Sequence, residues 1–241
     1  TGTPVDGTIE VFGPVVDSYT MTESVRDGIT VNLVYDGRAA RVTLDNAKVK
    51  EIEQYYDQCE AQGANEHQIE ESQKAVAQME AIIGDPDRLC AVAKDFIHHY
   101  ETRVAEGAMV AGKAMFVCMN RNIAYDLYKI IVEMRPQWSE KKISDDETAL
   151  TDKEKKELKP IEKIKLVMTR NKDDEPALYE MLGTKDDRKE FDRQFKNPKS
   201  NFKIAIVVDM WLTGFDVPEL DTIYIDKPIQ QHTLIQTISR V

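Results

Sequence analysis

The chain has 241 residues, a formal net charge of −11, 41% hydrophobic residues and 31% charged ones. That length leaves room for one to two domains with a sizeable core, and the composition excludes a disordered or membrane-embedded chain. Net acidity speaks against general nucleic-acid binding, because phosphate contacts need Lys and Arg. The acidity is local, however: residues 51–100 hold eleven Asp and Glu against three Lys and Arg, a net −8, and the other 191 residues sum to −3. Whole-chain charge therefore says little about any one face. No apolar run approaches the ~18 residues of a membrane span. The start, Thr1-Gly2-Thr3-Pro4, has neither the basic nor the apolar region of a signal peptide. Cys59, Cys90 and Cys118 are odd in number and far apart. They read as free thiols in a reducing, cytoplasmic setting, not as a disulfide frame or a zinc site.

In chain order, the first stretch is irregular, with turn formers at Thr1-Gly2-Thr3-Pro4, Gly7 and Gly13-Pro14. Ile29 to Tyr35 alternates apolar and polar, Asp36-Gly37 follows, and Ala40, Val42 and Leu44 alternate again, which predicts a β-hairpin over 29–44. From 45 to 107 the period turns helical. Ile69, Val76, Met79 and Ile83 form one stripe, Gly84 closes it, and Asp85-Pro86 opens a second carrying Leu89, Val92, Ala93, Phe96, Ile97 and Tyr100. The acidic outer faces suit a solvated surface or a partner-docking element, and the solvated surface is the simpler reading. Over 113–241 the pattern is β–α–β. Continuous apolar runs at Ala114–Cys118, Ile164–Thr169 and Ile204–Val208, with Thr222–Asp226, predict buried parallel strands. Between them Asn122–Met134 and Asp186–Phe195 predict helices, 171–183 is polar and irregular, and 139–159 reads as a flexible charged loop. Gln231–Ser239 begins a further helix. The fold class is α/β: a parallel sheet flanked by helices.

Two apparent motifs carry no chemistry. Gly107 through Ala114 nearly spells a phosphate-binding loop, but Ala114 lacks the hydroxyl that would hold Mg²⁺. A helix precedes this segment and a strand follows, the reverse of the required order. His98-His99 are adjacent on a helix and point about 100° apart, unlike an i, i+4 metal pair. No metal site is predicted. Glu140-Lys141-Lys142 is solvated charge rather than a nuclease cluster.

The most informative stretch follows the strand ending at Val208: Asp209-Met210-Trp211-Leu212-Thr213-Gly214-Phe215-Asp216-Val217-Pro218. Loops at the carboxyl ends of parallel strands are where α/β sheets bind ligands. Thr213 offers a hydroxyl and Gly214 an uncovered backbone, both suited to a phosphate. Trp211 and Phe215 are costly to expose, so a packing or stacking role follows. Asp226-Lys227-Pro228 then ends a strand, and Gln236-Thr237-Ile238-Ser239-Arg240-Val241 occupies the next helix.

These segments, in this order, resemble the C-terminal motor domain of superfamily 2 helicases. Their wording is most similar to the motor (R) subunit of type I restriction-modification enzymes. Thr1-Gly2-Thr3-Pro4 resembles motif III at the end of a first RecA-like lobe. Phe12-Gly13-Pro14 to Tyr19-Thr20, with Val25-Arg26-Asp27-Gly28, resembles the passage between lobes. Lys113 to Arg121 resembles motif IV, Asp209 to Pro218 motif V, and Gln236 to Val241 the start of motif VI.

The resemblance implies a RecA-like second helicase lobe over 29–241, preceded by the end of the first lobe and a linker over 1–28. It implies ATP and Mg²⁺ as cofactors, held mainly by the first lobe, and double-stranded DNA as substrate. Methyltransferase and specificity subunits are the implied partners. By motif, Asn120, Arg121, Thr213 and Gly214 would touch the DNA backbone. Thr3 and Asp216 would face the ATP cleft, and Gln236 and Arg240 the γ-phosphate, where a guanidinium stabilises the transferring phosphoryl group. The chain departs from the family pattern in having no Walker A loop, no acidic Mg²⁺ motif, no nuclease domain and no second motif VI arginine. The isolated chain is therefore expected to be a fragment that neither hydrolyses ATP nor cleaves DNA. Two other classes remain as alternatives: another superfamily 2 DNA or RNA helicase, and a non-enzymatic protein-interaction module.

Overall fold

The computed structural model describes residues 10–29, 34, 36–38, 79–212 and 217–227. Most of the expected hairpin 29–44, the first helical stripe before Met79 and the C-terminal helix lie outside these residues. A short helix, α1 (Met21–Arg26), opens with a capping box in which the Thr20 side chain accepts from Glu23 N–H and Glu23 returns the bond.

Helix α2 (Pro86–Ala105) starts where Asp85-Pro86 predicts. The Asp85 carboxylate accepts from the N–H groups of Asp87 and Arg88, and Pro86 supplies a preset φ where no N–H is needed. Of the stripe read from the sequence, Leu89, Ala93, Phe96, Ile97 and Tyr100 are buried and Val92 is half-buried against the same core. Strand β1 (Lys113–Cys118) follows, then α3 (Arg121–Met134), β2 (Ile164–Val167), α5 (Pro176–Leu182), α6 (Lys185–Lys196), β3 (Ile204–Val207) and β4 (Leu220–Asp226). Between α3 and β2 lie a 3₁₀ turn at Pro136–Ser139, another at Glu147–Ala149, and α4 (Asp152–Glu157).

The four strands form one parallel sheet in the order β2-β3-β1-β4. Alternation along β1 divides the core. Ala114, Phe116 and Cys118 pack with Phe96, Leu127, Ile131 and Leu178, which come from α2, α3 and α5. Met115 and Val117 pack with Phe195 of α6 and with Phe202. The sheet is thus covered on both faces, which is why β1, β2 and β3 read as continuous apolar runs rather than alternating ones.

Two loop expectations are corrected. Residues 139–159 are not a featureless charged loop. Thr151 and Glu154 form a capping box that starts α4, Lys142 and Ile161 pair as an antiparallel bridge, and Leu150 and Leu158 are buried. Each turn here is anchored by a single apolar residue, so no periodicity was available to detect it. Residues 171–183 contain α5, where Pro176 sits at the first turn and Leu178 and Leu182, four apart, are buried.

At the amino-terminal end of β1, Lys113 is fully buried. Its Nζ donates to the Phe202 carbonyl at 2.6 Å and lies 5.1 Å from the Phe195 ring centre. Burial, reinforced by Lys203 and only partly offset by Glu219 and Asp145, pulls its pKa from 10.5 down to about 6. Between those two values the unfolded chain holds a proton that the folded chain does not, so stability rises with pH. Below about 6 both states are protonated and the penalty is complete. Lys113→Met is therefore expected to stabilise the chain by about 1–3 kcal/mol. The gain should be largest at or below pH 6 and shrink towards pH 10, as read from urea midpoints across that range.

Candidate functional site

All four strands run the same way, so their carboxyl ends meet along one edge of the sheet. The segments singled out by sequence leave from that edge: Met119-Asn120-Arg121 after β1, Asp209 onward after β3, and Asp226-Lys227 at the end of β4. The registers Val117↔Val207 and Cys118↔Asp226 bring these ends level.

Asn120 is extended, and its side-chain oxygen accepts from Ile123 N–H at 2.9 Å, capping α3. Arg121 is already engaged. Its Nη2 lies 2.5 and 2.6 Å from the two Asp174 oxygens, and Nη1 donates to the Thr169 carbonyl. The Asp174 side chain is 7% exposed. Burial pushes its carboxyl up, but the Asn171 N–H and the Arg121 guanidinium outweigh that and hold it below the usual range. A phosphate reaching Arg121 must share or displace Asp174. Beside this pair, Arg170 lies 4.4 Å from the ring centre of Tyr179.

The segment after β3 begins with a strained turn. Trp211 has φ +68°, a conformation that bulky residues rarely adopt. Its ring stacks on Phe195 at 5.3 Å between centres. The packing role expected of Trp211 is therefore met against α6. Thr213, Gly214 and Asp216 lie outside the described residues, as do Thr3, Gln236 and Arg240.

At the end of β4 two ion pairs meet. Arg88 of α2 forks onto Asp226, with Nη1 at 3.0 Å and a second, shorter contact through Nη2, and also donates to the Ile83 carbonyl at 2.9 Å. Lys227 Nζ donates to Asp209 at 2.7 Å and approaches the Val208 carbonyl at 3.4 Å. Sequence reading noted Asp226-Lys227-Pro228 only as a strand end. It passed over Arg88 and Asp174 altogether, because their partners are 138 and 53 residues away.

His99 Nδ1 lies 2.8 Å from the Tyr224 hydroxyl. Among the described residues, no group of three or more His, Cys, Asp and Glu side chains could hold a metal ion. No described helix is long and apolar enough to cross a membrane.

A parallel sheet with helices on both faces, and with polar loops collected at its carboxyl edge, is a RecA-like α/β arrangement, consistent with a helicase-like lobe. Comparison with known proteins narrows this. The family described as type I restriction enzyme subunit R domain 3 matches residues 38–241, and the SWI2/SNF2 ATPase family matches residues 1–70. The chain is 34% identical, over its full length, to the type I restriction enzyme HindI endonuclease subunit of Haemophilus influenzae. It is also 34% identical, again over its full length, to the MjaIXP endonuclease subunit of Methanocaldococcus jannaschii. Endonuclease subunits from Staphylococcus aureus match 21% of the chain at 47% identity. The chain belongs to the type I restriction enzyme R subunit family, and it spans 21% of the length of the first two relatives.

Proposed function

We propose that this chain is the second motor lobe of an ATP-driven translocase of double-stranded DNA, working within a type I restriction endonuclease. One observation carries the reading. In a chain of this family, the two segments that resemble motifs IV and V leave the same edge of one parallel sheet, from the adjacent strands β1 and β3. That edge is where such sheets present ligand-binding loops.

In this reading Asn120, Arg121, Thr213 and Gly214 contact the phosphate backbone, which positions the duplex without reading its sequence. Sequence recognition then falls to a specificity subunit, with a methyltransferase subunit in the same cytoplasmic complex. ATP and Mg²⁺ supply the phosphoryl-transfer chemistry, bound chiefly by a first lobe. This chain adds Asp216 and Thr3 at the cleft, with Gln236 and Arg240 on the γ-phosphate side. Arg240 donates hydrogen bonds to charge developing on the transferring group. In this reading the Walker A loop belongs to the first lobe, so ATP turnover is expected only when both lobes are present.

The test uses the full-length R subunit assembled with its partner subunits. ATP-dependent displacement of a third strand from duplex DNA, with a delay that grows with distance from the recognition site, is the expected result. DNA-stimulated ATP hydrolysis without any displacement would sink the translocase reading.

A further inference from the structure

We propose that Lys227 is a positioning residue: it holds the entry turn of the segment 209–218 against the carboxyl edge of the sheet. Its neighbour Asp226 ties the same strand end to α2, so the turn is referenced to the helical unit. The functional consequence, though not the contact itself, rests on the motor reading above.

Three observations converge. First, β1 lies between β3 and β4, so Lys227 must pass over the end of β1 to reach Val208 and Asp209. Its side chain is only 17% exposed, whereas that of Asp209 is 81% exposed. The lysine is therefore the fixed member of the pair and the carboxylate the group it captures. Second, the captured turn is strained at Trp211, and a bulky residue at positive φ persists only where its surroundings hold it. Phe195 holds the ring from α6, and Lys227 holds the backbone and carboxylate just upstream. Third, the strand end bearing Lys227 is itself anchored. Asp226 lies two residues beyond Tyr224, whose ring packs on Phe96 of α2 at 4.7 Å. The Arg88 fork on Asp226, with side chains 16% and 14% exposed, fixes that strand end from the same helix. A bidentate guanidinium–carboxylate pair gives geometric definition that a lone lysine contact would lack.

The experiment uses the full-length subunit in its assembled complex, with variants Lys227→Met, Lys227→Arg, Asp209→Asn and the Lys227→Met/Asp209→Asn double variant. Without nucleotide or DNA, amide hydrogen exchange in residues 209–218 should quicken about tenfold in Lys227→Met and stay near wild type in Lys227→Arg. DNA-stimulated ATP turnover should fall about tenfold in kcat, with KM for ATP within twofold, as misplacement of a reacting constellation predicts. The arginine variant should recover most of that loss. The double variant should be no worse than the poorer single one, since both remove the same contact. Because Asp209 is exposed, Asp209→Asn reports on the pair even if Lys227→Met folds poorly. Unchanged exchange in 209–218 would overturn the proposal whatever the ATPase shows. Equal losses in kcat and thermal stability without recovery by arginine would also overturn it, by reducing Lys227 to a structural lysine. A loosened turn with full ATP turnover would support the holding contact and count instead against the motor role of the segment.

Discussion

Replacing Arg240 with Ala in the full-length R subunit is expected to lower DNA-dependent ATP turnover by about 10³-fold, the lower end of what an arginine acting on a transferring phosphoryl group contributes. The loss should appear in kcat, because the guanidinium meets charge that is fully developed only in the transition state. Arg240→Lys should recover little, since an ammonium cannot reproduce the planar, forked donor geometry. Thermal stability should stay within the small range of a surface substitution. Steady-state ATPase assays with saturating DNA, paired with a melting curve, check both halves. Turnover within a few-fold of wild type would remove Arg240 from the site, and with it the motif VI assignment of Gln236 to Val241.

The second large effect concerns the core. Phe96→Ala is expected to destabilise the chain by about 3–5 kcal/mol. Phe96 is 1% exposed and sits where helix, sheet and loop meet. Its ring centre lies 5.2 Å from that of Phe116 on β1, 4.7 Å from Tyr224 on β4, 6.0 Å from Tyr100 and 6.4 Å from Trp138. The Phe116, Tyr224 and Trp138 contacts are edge-to-face, the arrangement that ring quadrupoles favour by about 0.5–1.5 kcal/mol per pair beyond area burial. Truncation removes these contacts together and leaves a cavity that a parallel sheet backed by α3 cannot collapse to fill. Phe96→Leu, which keeps most of the volume, should cost less than about 1.5 kcal/mol. Urea midpoints at fixed pH measure both. A loss below 1 kcal/mol in Phe96→Ala would show that the α2–sheet junction repacks freely.

Much of this architecture was legible from local pattern. The strands β1, β2 and β3 announced themselves as uninterrupted apolar runs because both of their faces are covered. Helix α2 did so because Asp85-Pro86 caps a stripe of long period. The Gly107–Ala114 segment lies between α2 and β1, the reverse of the strand-to-helix order that a phosphate loop needs. The turns within 139–159 escaped notice because a single buried leucine per turn carries no period. Helix α5 escaped because its seven residues hold only two buried leucines.

Sequence by itself thus determined the fold class and the family: periodicity marks how each segment is covered, and the order and wording of the motif segments mark the kinship. It also settled that the acidity belongs to residues 51–100 and not to the motif-bearing core. Only the tertiary structure decided which charges meet. Arg121, expected at the DNA backbone, is paired with Asp174; Arg88 finds Asp226; Lys227 crosses the end of β1 to Asp209. The physical reason is that an ion pair depends on where two chain segments are brought together. Parallel strands joined by long crossovers bring together residues that no local pattern relates.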